Sequence, residues 1–409
     1  MTLLDIRAGH GVAVIDPHGR LVQRSLRLVP PEYAHKVIFL DPGDPDWIVR
    51  WNPLKCAGQA SRSRVAEDLI NAFKSFIDGW GDRLEHLLRH ALFAVLHLPD
   101  GCLLDVANLL RQKSRRSAEI RSLLQTVLED EYSSTFWKED FDHNYRTNTD
   151  LTPPQHKLSK LLGSETVGAM LSQRESAFDF RKIMDTGQIL LVDLSTVGAE
   201  VKNVLGCFIL SLLHLTAMGR DAALSPPHPF HIYCDEAHRF VTDSLEDMLI
   251  EGRKYGLSAT LATQNRDQLG ARKTKALGGV GSTIMFRVDS DDAQHLRKDL
   301  QGKVSVDDLV TLGVGWAIAR IGNHIVRVHT DEPLEIPSVN CRDRIIQRSR
   351  ELYCIRYSEL RKRSRPDCQD YPGDEGNADG SGAAHSGTKP RGEDTGRAED
   401  FSYDTFEPS

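Results

Sequence analysis

Cysteine is scarce in this sequence, and long apolar runs are missing from it. The seven cysteines among 409 residues are scattered, and no two of them form a Cys-x-x-Cys pair. This spacing argues against a zinc site or a disulfide framework, and it is typical of reduced thiols in a cytoplasmic protein. No apolar run approaches the roughly eighteen residues that span a bilayer, and the first residues show no signal-peptide pattern. The sequence therefore predicts a cytoplasmic globular protein.

The charge is unevenly distributed along the chain. Residues 366–409 hold eleven acidic and three basic residues, a net of -8, which exceeds the net charge of -7 for the whole sequence. Residues 342–365 hold nine basic and three acidic residues, a net of +6. This basic stretch could contact nucleic acid, or the acidic tail could shield it, but a charge-rich helix is more often a solvated face.

Short continuous apolar runs at both ends of the chain enclose a long region with helical spacing. Runs such as Gly11–Ile15 and Lys36–Leu40 predict strands buried on both faces, as in α/β folds. Later runs at Ile189–Asp193, Phe230–Cys234 and Ala259–Thr263 alternate with helical patterns, which favours a mostly parallel sheet with helices on both faces. Further strand patterns lie at Thr283–Phe286 and Trp316–Ala319.

These patterns divide the chain into five segments. We predict a first part of an α/β domain, an inserted all-α domain, a second part of the α/β domain, a basic helix, and a disordered acidic tail with few apolar residues. In that order the segments are 1–58, 59–176, 177–340, 341–365 and 366–409.

The strongest local signal is an apolar strand that ends in two acids, Phe230–Cys234 followed by Asp235 and Glu236. This is the Walker B arrangement of P-loop ATPases, in which the first acid faces Mg²⁺ or its bound water and the second polarises the attacking water. The alternative is a strand end capped by two acids, with His238 as an ordinary surface or core residue. The context that follows favours the ATPase interpretation.

A second signal follows this strand. A helix ends at Gly256, the next strand follows, and Gln264 stands at its tip. Because the carboxyl ends of parallel strands form the ligand crevice of such sheets, we expect Gln264 close to Glu236, where it would sense the γ-phosphate or hold the water. The alternative is a loop glutamine without a task.

Several segments in fixed order resemble one family. They are Gly11–Gly19, Phe178–Leu194, Ile232–Phe240, Gly252–Leu257 and Ala262–Gln264. Over about residues 1–335 the chain resembles the HerA/FtsK-type ATPases, and especially the TraG/TraD-like coupling proteins of type IV secretion and conjugation. The resemblance implies a RecA-like fold and a homo-hexameric ring that moves DNA, with ATP and Mg²⁺ bound between subunits, at the secretion or conjugation machinery of the membrane.

The resemblance also implies roles for individual residues. Asp235 matches the Mg²⁺-binding acid, and Glu236 and Gln264 match the catalytic acid and the sensor. Arg253 matches an arginine that reaches into a neighbour's site, and Arg287 is a second candidate. For either arginine the alternative is a surface salt bridge. The candidate nucleotide-binding residues are Asp16, Asp235, Glu236 and Gln264.

The sequence departs from the family in one respect. No Gly-x-x-x-x-Gly-Lys-Ser/Thr loop occurs in the 409 residues. The family order places that loop just before the helix whose last turns are read at Thr2–Ala8. We therefore expect either an internal start or fragment boundary at Met1, or a degenerate product, and weak ATP binding by this chain in both cases.

Two other functions remain open from the sequence. A DEAH-type helicase would explain Asp235–His238 and Ser258–Thr260, but no second core follows in the sequence. A non-catalytic adaptor or ring subunit would contribute Arg253 to a neighbour without binding nucleotide itself.

Overall fold

In the computed structural model, the described residues are 1–55, 62–74, 79–111, 114–128, 131–145, 148–220, 226–240, 242–264 and 280–364. The predicted acidic tail, 366–409, lies outside them. The strands are β1 (Gly11–Asp16), β2 (Val37–Leu40), β3 (Trp47–Val49), β4 (Ile189–Asp193), β5 (Phe230–Cys234), β6 (Leu257–Leu261), β7 (Ser282–Met285), β8 (Trp316–Ile321), β9 (His324–His329) and β10 (Cys354–Arg356).

Helices make up most of the remaining described chain. They are α1 (Thr2–Arg7), α2 (Arg20–Leu28), α3 (Arg62–Lys74), α4 (Asp82–Leu96), α5 (Leu103–Leu109), α6 (Arg115–Val127), α7 (Glu131–Thr135), α8 (Phe141–Asn144), α9 (Asn148–Leu162), α10 (Glu165–Leu171), α11 (Phe180–Asp185), α12 (Ala199–Met218), α13 (Asp243–Glu251), α14 (Ser290–Asp299), α15 (Val306–Val310), α16 (Arg342–Tyr353) and α17 (Tyr357–Ser364). Residues Met1–Ser364 form one compact unit.

A parallel five-stranded sheet organises this unit, in the order β2-β4-β1-β5-β6. The apolar runs fold as strands because both sheet faces are covered. On β1, Ala13 and Ile15 face one core, which includes α12, whereas Val12 and Val14 face a second core, formed with α1, α2 and α16. Burying each of the larger side chains, Val12, Val14 and Ile15, contributes about 1.5–3 kcal/mol. The predicted α/β class, with a mostly parallel sheet and helices on both faces, is confirmed.

The helical region, α3 to α10, shares a core with one face of this sheet. Helix α3 packs between α4 and α12. Phe73 of α3 meets Phe208 of α12 edge to face, with ring centroids 5.3 Å apart, and both side chains are fully buried. The helical region therefore continues the core of the sheet through α12.

Helix α12 is long and apolar enough to span a membrane by length and composition, with a mean hydropathy of 1.6. Its sequence is not an unbroken apolar run, because the charged residues Glu200 and Lys202 stand in its first turn. However, 78% of its most apolar eighteen-residue stretch is buried inside the fold. It is the central core helix of this structure.

Two of the predicted strands lie outside the parallel sheet. Strands β7, β8 and β9 form a separate antiparallel sheet with its own core of apolar residues from α14 and α15. A two-residue turn at Gly322–Asn323, with φ of 57° at the glycine, joins β8 to β9, and such a hairpin requires antiparallel pairing. The strand patterns at Thr283–Phe286 and Trp316–Ala319 therefore form strands β7 and β8 of an antiparallel sheet.

The basic stretch is also different from the prediction. The single helix expected over 341–365 is replaced by α16, β10 and α17, since Cys354–Arg356 pairs with β3 and interrupts the helix. Two of its arginines pair with acids from other elements: Arg350 Nη2 lies 2.7 Å from Oδ2 of the buried Asp44, and Arg361 pairs with Glu165 at the surface. These ion pairs favour a structural role for the stretch over contact with nucleic acid.

Candidate functional site

The carboxyl edge of the parallel sheet gathers the acidic strand ends. Asp16 and Asp193, the last residues of β1 and β4, are direct partners across the two strands. Asp235 and Glu236 follow β5 next to them, since the Asp235 amide donates to the Ile15 carbonyl oxygen at 3.1 Å. Parallel strands bring their carboxyl ends to one edge, and this edge is where α/β sheets bind ligands.

Glu236 and Gln264 meet at this edge, as the sequence predicted. Gln264 Nε2 donates to Glu236 Oε1 at 2.5 Å. The amide of Ala237 donates to the Ala262 carbonyl oxygen at 2.8 Å, which aligns the segment after β5 with the segment after β6. The structure therefore brings the predicted acid and the predicted sensor into contact.

The backbone of Glu236 is strained. Its φ is 47°, in the left-handed region, which costs a residue with a Cβ roughly 1–2 kcal/mol. Its side chain is largely buried, and Oε2 lies 3.4 Å from His238 Nδ1. Burial lowers the pKa of His238, so this imidazole is neutral near pH 7. A strained residue that carries a buried carboxylate in a crevice is a common feature of functional sites.

The Asp235 carboxylate accepts a hydrogen bond from the next residue and lies close to other acidic side chains. Its Oδ1 accepts a hydrogen bond from the Glu236 amide at 3.0 Å. Burial raises the pKa of Asp235 above its ordinary value of 3.8, and the charges of Asp16 and Glu236 raise it further. A divalent cation beside Asp235 would offset this repulsion, so the residues present fit Mg²⁺.

We expect Asp235→Asn to stabilise the folded chain at neutral pH. The folded-state pKa of Asp235 lies above its unfolded value, so its carboxylate destabilises the fold once the pH rises through that interval, starting near the ordinary value of 3.8. The variant should melt about 2 °C higher than the wild type at pH 7.5, with a difference that shrinks as the pH falls toward 4. Calorimetry at both pH values measures this.

Asp331→Asn, at an exposed position, is the matched control and should leave the melting temperature unchanged. Equal melting temperatures for Asp235→Asn and wild type at pH 7.5 would contradict this reading.

Asp16, predicted as a nucleotide-binding residue, has its carboxylate engaged by the main chain. It is fully buried, and both of its oxygens accept main-chain hydrogen bonds, from His18 at 2.8 Å, Leu21 at 2.7 Å and Val22 at 3.1 Å. It therefore holds the loop between β1 and α2. In that loop Gly19 has a φ of 77°, and a Cβ there would lie 2.7 Å from Asp193 Oδ1. The sequence could not reveal how closely this turn approaches β4.

Two further polar residues, Asp193 and Lys202, lie at this edge and were not predicted from the sequence. Asp193 Oδ1 accepts from the Ser195 hydroxyl at 2.6 Å, and its Oδ2 accepts from Gln23 at 2.9 Å. Lys202 Nζ, at the start of α12, donates to the Pro17 carbonyl oxygen at 2.8 Å. Burial lowers the pKa of Lys202. The position of Asp193 at the end of an apolar strand could have predicted its place at this edge. Nothing in the local sequence predicts the place of Lys202, because it depends on how α12 packs in the fold.

The two candidate arginines lie elsewhere. Arg253 is exposed in a short helix, Gly252–Tyr255, that precedes β6, so it stands at the amino edge of the sheet. More than about 15 Å of extended chain separates it from Gln264 after β6. Arg287 is exposed after β7, beside the separate antiparallel sheet. Neither arginine joins the acidic edge within its own chain.

Comparison with solved structures identifies the fold. The chain aligns with the bacterial conjugative coupling protein TrwBdeltaN70 at a TM-score of 0.59 and 15% identity, over 83% of this chain and 81% of that one. For the plasmid coupling protein TrwB in complex with ADP and Mg²⁺, the values are 0.58 and 16%, over 82% and 80%. For VirB4 of Thermoanaerobacter pseudethanolicus they are 0.54 and 14%, over 81% and 84%.

No protein-family model and no curated protein matches the sequence. At these identities the structural likeness concerns the fold alone. The predicted RecA-like α/β fold, which these coupling proteins share, is confirmed over more than four-fifths of the chain.

Proposed function

We propose that this chain, which has the fold of a conjugative coupling protein, forms the core of a DNA-translocating ring ATPase of the type IV secretion coupling type. The observation that carries the proposal is the contact between Glu236 and Gln264 beside Asp235, at the edge where RecA-like sheets bind nucleotide. The TrwB structures with ADP and Mg²⁺ or with ADPNP have the same fold. We place the protein in the cytoplasm, at the inner face of the membrane through its partners.

Each residue at this edge has a distinct part in the proposed reaction. Asp235 holds the divalent cation through its carboxylate, and Glu236 polarises the attacking water. Gln264 fixes the Glu236 carboxylate and senses the γ-phosphate position. Bound Mg²⁺–ATP supplies the phosphoryl group. The protein contributes mainly by positioning and by charge stabilisation, as in other phosphoryl-transfer enzymes.

The proposed site is shared between neighbouring subunits of a homo-hexamer. Arg253 cannot reach the acidic edge of its own chain, because the length of β6 separates them. In a head-to-tail ring, one surface of each subunit meets a different surface of the next, so the amino edge of one sheet can supply an arginine to the carboxyl edge of its neighbour. Arg253 is our first candidate for this trans contact and Arg287 the second.

We expect the 409-residue chain on its own to bind ATP with a Kd weaker than about 100 µM. The missing loop would supply four or five hydrogen bonds to charged phosphates at about 1.5–3 kcal/mol each, while micromolar affinity corresponds to about 8 kcal/mol. Titration with a fluorescent ATP analogue measures this. A variant with a strand, a Gly-x-x-x-x-Gly-Lys-Ser loop and a helix fused ahead of α1 is the positive control. Low-micromolar affinity of the unextended chain would contradict the expectation.

The experiment for the function itself is ATP hydrolysis by that loop-bearing variant, with and without DNA. A motor that translocates DNA should hydrolyse ATP faster when DNA is added, and single and double strands should be compared to separate translocation from unwinding. Hydrolysis that does not respond to either form of DNA contradicts the DNA-motor proposal.

Of the alternatives, the non-catalytic ring subunit is the more serious. It predicts that this chain stimulates an intact coupling ATPase without binding ATP, and that Arg253→Ala abolishes the stimulation. A helicase is less well supported. The described residues after β6 form a three-stranded antiparallel sheet, the four helices α14 to α17 and the short strand β10, and they include no second parallel sheet.

A further inference from the structure

Two histidines and a carboxylate meet on the face of the sheet that carries α1. Asp5 belongs to α1, His10 stands between α1 and β1, and His231 is the second residue of β5. Helix α1 ends at Arg7, and Gly9, whose φ is 80°, turns the chain so that the His10 amide donates to the Asp5 carbonyl oxygen at 3.0 Å. The backbone itself therefore sets His10 beside Asp5.

The three side chains enclose a position with the dimensions of a metal site. His10 Nδ1 lies 3.0 Å from His231 Nε2, and each of these nitrogens lies 3.9 Å from Asp5 Oδ1. The circle through three atoms at these separations has a radius of about 2.1 Å, which matches the Zn–N and Zn–O distances of about 2.0–2.2 Å in proteins. We propose that Asp5, His10 and His231 bind a divalent first-row transition metal, such as Zn²⁺.

Neighbouring hydroxyl groups orient two of these ligands for a metal. His231 Nδ1 lies 2.6 Å from Ser258 Oγ on β6, so a proton on Nδ1 leaves the lone pair of Nε2 free. The Tyr233 hydroxyl donates to Asp5 Oδ2 and leaves Oδ1 for the metal. Such partners of the free ring nitrogen and of the second carboxylate oxygen are typical of metal sites in proteins.

The ligand set decides the class of ion. Two imidazoles favour Zn²⁺, Co²⁺ or Ni²⁺ over Mg²⁺ and Ca²⁺, which prefer oxygen ligands. The side chains of His10, Asp5 and His231 are 33%, 22% and 25% exposed, so a water has access to a fourth position. The three ligands are two histidines and one aspartate. The absence of Cys-x-x-Cys pairs from the sequence therefore does not argue against this site.

The site is separate from the nucleotide edge. His231 lies near the start of β5, whereas Asp235 and Glu236 follow its end, roughly 10–13 Å along the strand. A bound ion would connect α1 directly to β5 and so stabilise the docking of α1 on the sheet. This role does not depend on the proposed ATPase function.

The test uses the full chain without an affinity tag, dialysed free of metal. We expect one Co²⁺ per chain with visible d–d absorption, displacement by Zn²⁺, and a higher melting temperature with Zn²⁺. His231→Asn and His10→Asn should weaken binding at least about tenfold. His35→Asn, at an exposed position, should bind as the wild type does, and Asp235→Asn tests whether the ion is bound at the nucleotide edge instead.

Two results would overturn the proposal. One is the lack of stoichiometric Co²⁺ binding by the wild type. The other is undiminished binding by the His10 and His231 variants. Circular dichroism of each metal-free variant checks that it folds, and Asp5→Asn serves as a third variant if either histidine variant does not. Loss of binding in Asp235→Asn alone would place the ion at the nucleotide edge instead.

Discussion

Replacing Glu236 with Gln is expected to lower DNA-stimulated ATP hydrolysis by about 10²- to 10⁴-fold in a chain that carries a phosphate-binding loop ahead of α1. The amide has nearly the same shape as the carboxylate and can keep a hydrogen bond to Gln264, so the fold and nucleotide binding should persist. It cannot polarise the attacking water, because it lacks the negative charge. Steady-state hydrolysis and nucleotide titration of the same preparation separate kcat from binding.

The matched control for this experiment is Glu67→Gln, at an exposed position on α3. It removes the same charge far from β5 and should hydrolyse ATP at the wild-type rate. If Glu236→Gln kept a rate within about threefold of wild type, Glu236 would be a structural acid at a strand end, as the alternative interpretation of the sequence holds.

Arg253→Ala is expected to lower hydrolysis by about 10³- to 10⁵-fold, the range measured for arginines supplied in trans in GTPases. The guanidinium would stabilise charge that develops on the transferred phosphoryl group. Lys254→Ala removes the neighbouring exposed cation, which pairs with Glu251 at 3.6 Å, and should have little effect. Arg253→Lys should recover only part of the rate, since lysine lacks the planar fork of donors.

Mixing the two inactive variants tests the trans geometry. A ring interface between an Arg253→Ala subunit and a Glu236→Gln subunit can combine the intact acid of the first with the intact arginine of the second. Random assembly should then restore about a quarter of the wild-type rate, because a head-to-tail interface takes each partner from a different subunit. Mixtures that stay as inactive as either variant alone would assign Arg253 to another role.

The parts of the site that the sequence predicted follow from strand ends. Asp235, Glu236 and Gln264 each stand just after an apolar run, and parallel strands bring such ends together. What it could not predict depends on contacts between distant segments. Asp16 looks like Asp235 in the sequence, yet the turn that follows it folds three amides onto its carboxylate. Lys202 reaches the edge only because α12 starts there.

The fold also has parts that the local sequence predicts and parts that depend on contacts between distant segments. The buried strands of the parallel sheet were recognisable from their continuous apolar runs. By contrast, β10 forms only because Cys354–Arg356 finds the edge of β3, some 300 residues earlier in the chain. Pairing over that distance overrides the helical pattern of the flanking residues, and local sequence carries no sign of it.

Cysteine cross-linking between differently labelled subunits tests the shared site most directly. One chain carries Arg253→Cys, the other carries Gln264→Cys, and a reagent shorter than about 10 Å is added to the assembled protein. Because β6 separates the two positions within one chain, we predict a cross-linked dimer in the mixture and no link within a doubly substituted chain. A mixture that sediments as rings but gives no cross-linked dimer above the level of the native cysteines would contradict a nucleotide crevice completed by the neighbouring subunit.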